Sequence, residues 1–152
     1  MEKLLQELKS KGLTLGSVES MTGGLFSAKF TEIPGSSAVF KGGIVTYSCE
    51  EKINIVGVKK ETIEKYGVVS EQVAMEMAEK GRKLLNVDIC VSVTGNAGPT
   101  TEPGGKPVGC FYVGISTKNE TAVKAYQKSQ KRNEVRNSAV LAMRDLIHLK
   151  LI

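Results

Sequence analysis

A β-strand that runs straight into a glycine pair and then a helix constrains this chain more than any other feature. Leu13 to Val18 reads as a short strand. Glu19-Ser20-Met21-Thr22-Gly23-Gly24 follows at once. From Gly23 to Ile33 the spacing reads as an amphipathic helix, with Leu25, Phe26, Ala28, Phe30 and Ile33 as its apolar positions. A strand feeding a helix N-terminus presents backbone N–H groups and the positive end of the helix dipole. Gly23 and Gly24 let a ligand approach the backbone closely. Such a turn can bind an anion and hold a serine at the rim of a cleft. An ordinary connection with Ser20 or Thr22 as N-cap would use the same residues. The turn alone therefore leaves both readings open.

The rest of the chain continues the alternation of strands and helices. Glu2 to Lys11 reads as a helix with Leu4, Leu5 and Leu8 on one face, stopped by Gly12. Val39 to Tyr47 reads as a strand, Glu50 to Val56 as a short helix and Thr62 to Lys65 as a helical turn. Ser70 is the expected N-cap of a helix over 71–85. Val87 to Val93 is apolar and β-branched, as a buried central strand requires. Gly95 to Pro107 holds four glycines and three prolines in thirteen residues, so it must be a structured loop. Loops of that length in compact domains are usually functional. Val108 to Ser116 and Thr121 to Gln127 form an expected hairpin, and Asn133 to Leu151 a closing helix. This order predicts a layered α/β sheet.

Several function classes drop out. No apolar run approaches the ~20 residues a membrane span needs, and the N-terminus starts an amphipathic helix rather than a signal peptide. A cytoplasmic chain is the expectation. Cys49, Cys90 and Cys110 are widely spaced, and the one histidine is His148 in the last helix, so a His/Cys zinc site is not expected. A net charge of +5 favours anionic ligands. Gly104-Gly105-Lys106-Pro107 fails as a phosphate loop, because Thr100 stands where the first glycine is needed and Pro107 follows the lysine. Neither a G-x-S-x-G elbow nor a dinucleotide fingerprint occurs.

With histidine scarce, a serine nucleophile needs another base. A lysine serves if burial or a neighbouring cation pulls its pKa well below ~10.4. Lys52 is a candidate, one turn into the helix after the strand that Tyr47 ends. A strand end and the turn after it meet the same crevice as the 18–24 turn in an α/β sheet. Ser48, four residues before Lys52, competes with Ser20 on spacing. A solvated lysine and an edge tyrosine would satisfy the same pattern.

Glu19-Ser20-x-Thr22-Gly23-Gly24 and Pro34-Gly35-Ser36-Ser37-Ala38-x-Phe40-x-Gly42-Gly43-x-Val45-x-Tyr47-Ser48-x-Glu50-x-Lys52 strongly resemble the CinA C-terminal domain family. Gly67-x-Val69-Ser70-Glu71, Thr94-Gly95-x-Ala97-Gly98-Pro99 and Lys106-Pro107-Val108-Gly109 extend the resemblance over nearly the whole chain. It implies a three-layer α/β/α sandwich around a mixed, mostly parallel sheet, as one amidase domain over residues 1–152. The family includes stand-alone nicotinamide-nucleotide amidases, which hydrolyse nicotinamide mononucleotide to nicotinate mononucleotide and ammonia in pyridine-nucleotide salvage. Larger relatives carry an N-terminal molybdopterin-binding-like domain, for which this chain has no room.

The resemblance further implies Ser20 as nucleophile, Lys52 as general base and Tyr47 and Thr94 as supporting polar groups, with no metal and no cofactor. Thr22, Gly23, Gly24, Gly95, Ala97 and Gly98 would surround the nucleotide. Lys106, Arg132 or Arg136 would hold its phosphate. The expected partners are that small nucleotide and further copies of the chain in a homo-oligomer, not nucleic acid or membrane. The sequence departs from the family pattern at Met21, where cysteine is common, and at Asn96, where an apolar residue is usual. It departs again at Ser129-Gln130-Lys131-Arg132, where Gly-Asp-Arg is frequent. A non-catalytic nucleotide-binding or protein-interaction module linked to competence or DNA repair is the alternative reading.

Overall fold

The computed structural model describes residues 1–152. Its elements are α1 (Glu2–Ser10), β1 (Leu15–Glu19), α2 (Leu25–Thr31), β2 (Phe40–Val45), α3 (Cys49–Glu51), α4 (Lys60–Tyr66), α5 (Glu71–Leu85), β3 (Ile89–Gly95), β4 (Cys110–Ser116), β5 (Thr121–Gln127) and α6 (Arg132–Leu151). α3 runs directly into a π-helical turn, Lys52–Val56. The sheet order is β2-β1-β3-β4-β5. β1 pairs parallel with β2 and β3, while β3–β4 and β4–β5 are antiparallel. The sheet is mixed, as expected. Its parallel pairings equal the antiparallel ones in number rather than outnumbering them, because the 108–127 hairpin supplies a second antiparallel pairing.

Period-two alternation divides the strands between two cores. Leu15, Ile89, Val91, Val93, Phe111, Val113 and Ile115 face α1, α2 and α6 in the larger core. Val18 and Cys90 face the opposite way, against Val73 and Met77 of α5, Val56 at the end of the π turn and Val58 beyond it. Three layers follow. Burial pushes the Cys90 thiol up to about 12, so it is an inert packing group.

Element boundaries differ from the sequence reading where the backbone has special needs. α2 starts at Leu25, not Gly23, because Gly23 and Gly24 have φ of +59° and +96°. Those left-handed values suit a sharp turn and cannot continue an α-helix. Neither Ser20 nor Thr22 caps α2. The buried Glu19 carboxylate does so, accepting from the N–H groups of Phe26 and Ser27 at 2.9 and 3.1 Å. The 50–56 helix is a three-residue α-turn followed by a π turn, with Ser48 as its N-cap. No helix is long and apolar enough to cross a membrane.

Candidate active site

The site lies at the C-terminal ends of the three parallel strands. β1 keeps Gly16 and Val18 on the α5 face, and the same parity carries Ser20 to that face. The π turn folds Lys52 back beneath it. The Lys52 side chain is 1% exposed, and its Nζ lies 2.9 Å from Ser20 Oγ and 2.6 Å from the carbonyl oxygen of Thr46. Burial pulls its pKa from 10.5 down to about 8, while the nearby Cys49 pushes the other way. At pH 7 about a tenth of the side chain is neutral. The resting lysine is therefore mostly ammonium near neutral pH, and its neutral fraction grows as pH rises toward 8. π turns recur at functional sites because they redirect a side chain without ending the helix.

The turn after Ser20 is held from two sides. Glu19 accepts from the Thr22 hydroxyl at 2.7 Å and from the Ser27 hydroxyl at 2.7 Å, besides its two α2 amides. Arg136 of α6 donates to the carbonyls of Met21 at 3.0 Å and Thr22 at 2.9 Å, and to Asn133 Oδ1 at 3.1 Å. The Gly23 N–H donates to the Ser20 carbonyl at 2.9 Å and is already engaged. The N–H of Met21, next to the nucleophile, has no acceptor within the protein. Glu19 and its clamp were not singled out from sequence. A carboxylate that caps a helix from a preceding strand lies outside any local capping spacing.

The other expected residues divide. Tyr47 lies past the end of β2 and is 61% exposed; its hydroxyl accepts from Arg132 Nη2 at 3.0 Å and is not hydrogen-bonded to Ser20 or Lys52. Arg132 also donates to the Gly98 carbonyl, so it ties α6 to the 96–99 turn. Thr94 is buried and donates to the Val68 carbonyl at 2.9 Å. Ala97 is part of the larger core. Gly98 is required by packing, since a Cβ there would lie 2.4 Å from Val108 Cγ1.

Ser48, exposed, accepts from the Glu51 N–H at 3.1 Å and makes no hydrogen bond to Lys52 Nζ. His148 pairs with Glu7 of α1 at 2.6 Å, remote from the site. No group of three His, Cys, Asp or Glu side chains is arranged to bind a metal.

A groove of about 640 Å³ adjoins the pair without containing it. The segment Tyr66–Val69 and the loop from Gly95 to Lys106 form its walls, and Cys49, three residues before Lys52, lies at one end. Lys106 lines this groove, and its ammonium has no protein acceptor, unlike the guanidinium groups of Arg132 and Arg136.

Fold and site together define an α/β protein with a buried serine–lysine pair at the carboxyl edge of its parallel strands. The chain belongs to the CinA C-terminal domain family, whose profile matches residues 1–151. It is 43% identical to a CinA-like protein of Kosmotoga olearia over 99% of its own length and 37% of the relative. It is 44% identical to a CinA-like protein of Thermotoga neapolitana over 98% of its length and 37% of that relative. The chain thus spans about a third of the length of the curated relatives it matches. A crystal structure of a competence or damage-inducible protein from Enterobacter asburiae superimposes with a TM-score of 0.96 at 30% identity, over 99% of this chain and 95% of that one.

Proposed function

We propose that this chain is an amidohydrolase acting on the carboxamide of nicotinamide mononucleotide, with Ser20 as nucleophile and Lys52 as general base. The observation that carries the reading is the buried Ser20 Oγ–Lys52 Nζ contact at 2.9 Å, with the amine's pKa lowered to about 8. The choice of substrate rests on the sequence motifs shared with the nucleotide amidases of the family.

In the structure Lys52 Nζ donates to Ser20 Oγ and to the Thr46 carbonyl; once the amine is neutral it keeps an N–H on that carbonyl and the Ser20 contact reverses, the hydroxyl donating to the nitrogen lone pair. As Oγ attacks the amide carbon, that proton passes to Nζ. The Met21 N–H, beside the nucleophile, is the first donor to the oxygen on which charge develops. The ammonium of Lys52 then returns the proton to the leaving nitrogen, and the C–N bond breaks to release ammonia. Water, deprotonated by the same lysine, cleaves the acyl-enzyme to give nicotinate mononucleotide and free Ser20. The test is ammonia release from nicotinamide mononucleotide in the presence of a chelator. Activity that disappears with chelator and returns with zinc overturns the metal-free mechanism, and no release at all overturns the substrate.

A base that must be neutral makes the rate rise with pH. Because the folded-state pKa of Lys52 is about 8, kcat/KM for nicotinamide mononucleotide is expected to climb tenfold per unit below pH 8 and to level off above it. A profile flat from pH 6 to 9 removes Lys52 from the base role.

Lys106 is the proposed phosphate ligand. Its loop lines the groove and its ammonium is unengaged. Lys106→Ala is expected to raise KM about tenfold with kcat nearly unchanged, the mark of binding lost equally from ground and transition states. An equal fall in kcat contradicts that assignment.

A further inference from the structure

One buried side-chain oxygen or nitrogen in the whole protein has no hydrogen-bond partner: the Oγ1 of Thr46. Thr46 is fully buried. A hydroxyl hidden from water without a partner is costly, and such groups are rare enough to call for a reason. This one sits in the residue whose carbonyl already holds Lys52 Nζ at 2.6 Å.

Register places it more closely. β1 and β2 run parallel with Glu19 beside Val45, and the Thr46 N–H donates to the Glu19 carbonyl at 2.8 Å, which carries the ladder one step further. Thr46 is therefore the cross-strand neighbour of Ser20, about 4.8 Å away along the hydrogen-bonding direction. Gly42 meets Leu85 and Ile44 packs in the α5-side core, so the parity of β2 turns Thr46 to the face that Ser20 and Lys52 share. Thr94, beside Ser20 on the other flank, has the same parity but is satisfied by the Val68 carbonyl. Of the three hydroxyls in this row, only that of Thr46 is free.

The demand for an acceptor arises on Nζ itself. A neutral amine has two N–H donors and a lone pair, and an ammonium has three donors. In the structure Nζ has two partners, Ser20 Oγ and the Thr46 carbonyl, which satisfy a neutral amine but leave any ammonium, at rest or formed in the reaction, one N–H over. When the lysine takes the serine proton, Oγ becomes bonded to carbon, and the new ammonium must aim one N–H at the leaving nitrogen. It keeps one on the Thr46 carbonyl and has one more to place.

We propose that the Thr46 hydroxyl is a positioning group for Lys52: through a χ1 turn or a small shift of Nζ it accepts the third N–H of the ammonium formed during acylation, and holds that ammonium aimed at the leaving nitrogen. This rests on the serine–lysine reading above but not on the identity of the substrate. No proton moves to or from Thr46; the transferred proton goes from Ser20 Oγ to Nζ and then to the leaving group.

The experiment compares wild type with Thr46→Val, which keeps the shape and loses the hydroxyl, and Thr46→Ser, which keeps the hydroxyl. Thr46→Ala serves as a second hydroxyl-free variant with no branched methyl. Two rates are followed against pH: ammonia release from nicotinamide mononucleotide, and covalent labelling of Ser20 by a fluorophosphonate. The reagent needs the same base but does not resemble the nucleotide.

Removing the hydroxyl is expected to lower the high-pH limit of both rates about tenfold or more, as losing a hydrogen bond to a charged group does. It is also expected to move the acid limb to lower pH, because the ammonium loses a partner. Thr46→Ser is expected to stay within about threefold of wild type. Limbs that coincide in wild type, Thr46→Val and Thr46→Ala overturn the proposal, as does a Thr46→Ser variant no better than Thr46→Val. Labelling that follows the expected pattern without ammonia release supports Thr46 and overturns the substrate alone. A wild-type Ser20 inert to the reagent at every pH overturns the serine–lysine reading and the role of Thr46 with it.

Discussion

Ser20→Ala is expected to lower turnover of nicotinamide mononucleotide on the order of 10³-fold or more, as loss of a nucleophile does in serine hydrolases. Ser48→Ala is expected to leave turnover within a few-fold. On spacing to Lys52 Ser48 competes with Ser20, whose own claim is its glycine turn and helix N-terminus; the fold separates the two. Ser20 Oγ is the side-chain partner of Lys52 Nζ, and it precedes an N–H that no protein group accepts. Ser48 Oγ caps the short helix by accepting from the Glu51 N–H. Its loss is a capping loss of about 1 kcal/mol in stability, visible in a thermal melt rather than in kcat. Ser20→Ala removes one of the two partners of a buried amine, so its melt has to be compared as well. If folded Ser48→Ala is the more damaging variant, the nucleophile is Ser48 and the roles given to the 20–24 turn fall with it.

What the sequence made legible was whatever short-range pattern controls. The 71–85 helix appears with the bounds its N-cap Ser70 and apolar spacing predict, and Ser70 Oγ accepts from the Val73 N–H. The Val87–Val93 run is a central buried strand, displaced two residues toward the C-terminus because parallel pairing with β1 starts at Ile89 and antiparallel pairing with β4 extends it to Gly95. The Ser20–Lys52 pairing was reached through shared motifs, and the parity of β1 with the π turn gives it a physical basis. What the sequence did not reveal has one cause: it concerns contacts between segments far apart in the chain. Tyr47 reads as a site residue beside Lys52, yet its hydroxyl lies with Arg132, 85 residues away. Arg136 reads as one of three candidate phosphate ligands, and in the fold its guanidinium holds two carbonyls of the nucleophile turn, 114 and 115 residues away. Thr46 carries no sequence signal at all, because an unpaired hydroxyl is defined only by everything packed around it.

Lys52→Arg is expected to fold, to bind nucleotide and to lose nearly all turnover. Guanidinium stays protonated in proteins and has no lone pair to take the serine proton. A lysine that merely supplied positive charge would tolerate the change, so substantial retained kcat excludes Lys52 as base. Arginine is bulkier than the buried pocket, and Lys52→Met therefore supplies the second measurement, at nearly equal volume. It too is expected to lose turnover, and its stability reads the burial of the amine directly. The folded-state pKa is lowered from 10.5 to about 8, so the folded protein holds its proton less well than the unfolded chain. Below pH 8 the whole cost of burying an ammonium is present. Between pH 8 and 10.5 it fades as the unfolded chain also loses its proton, and above 10.5 it is gone. At 1.36 kcal/mol per pH unit, the fall from 10.5 to about 8 corresponds to about 3 kcal/mol. Methionine carries no such cost at any pH, though it leaves the Thr46 carbonyl and Ser20 without their partner, at about 1 kcal/mol each. The stability of wild type relative to Lys52→Met is thus expected to rise by about 3 kcal/mol from pH 8 to pH 10.5 in paired denaturant titrations. A difference that does not change with pH means that Lys52 keeps an ordinary pKa in the folded protein, and a lysine with an ordinary pKa cannot deprotonate Ser20 near neutrality.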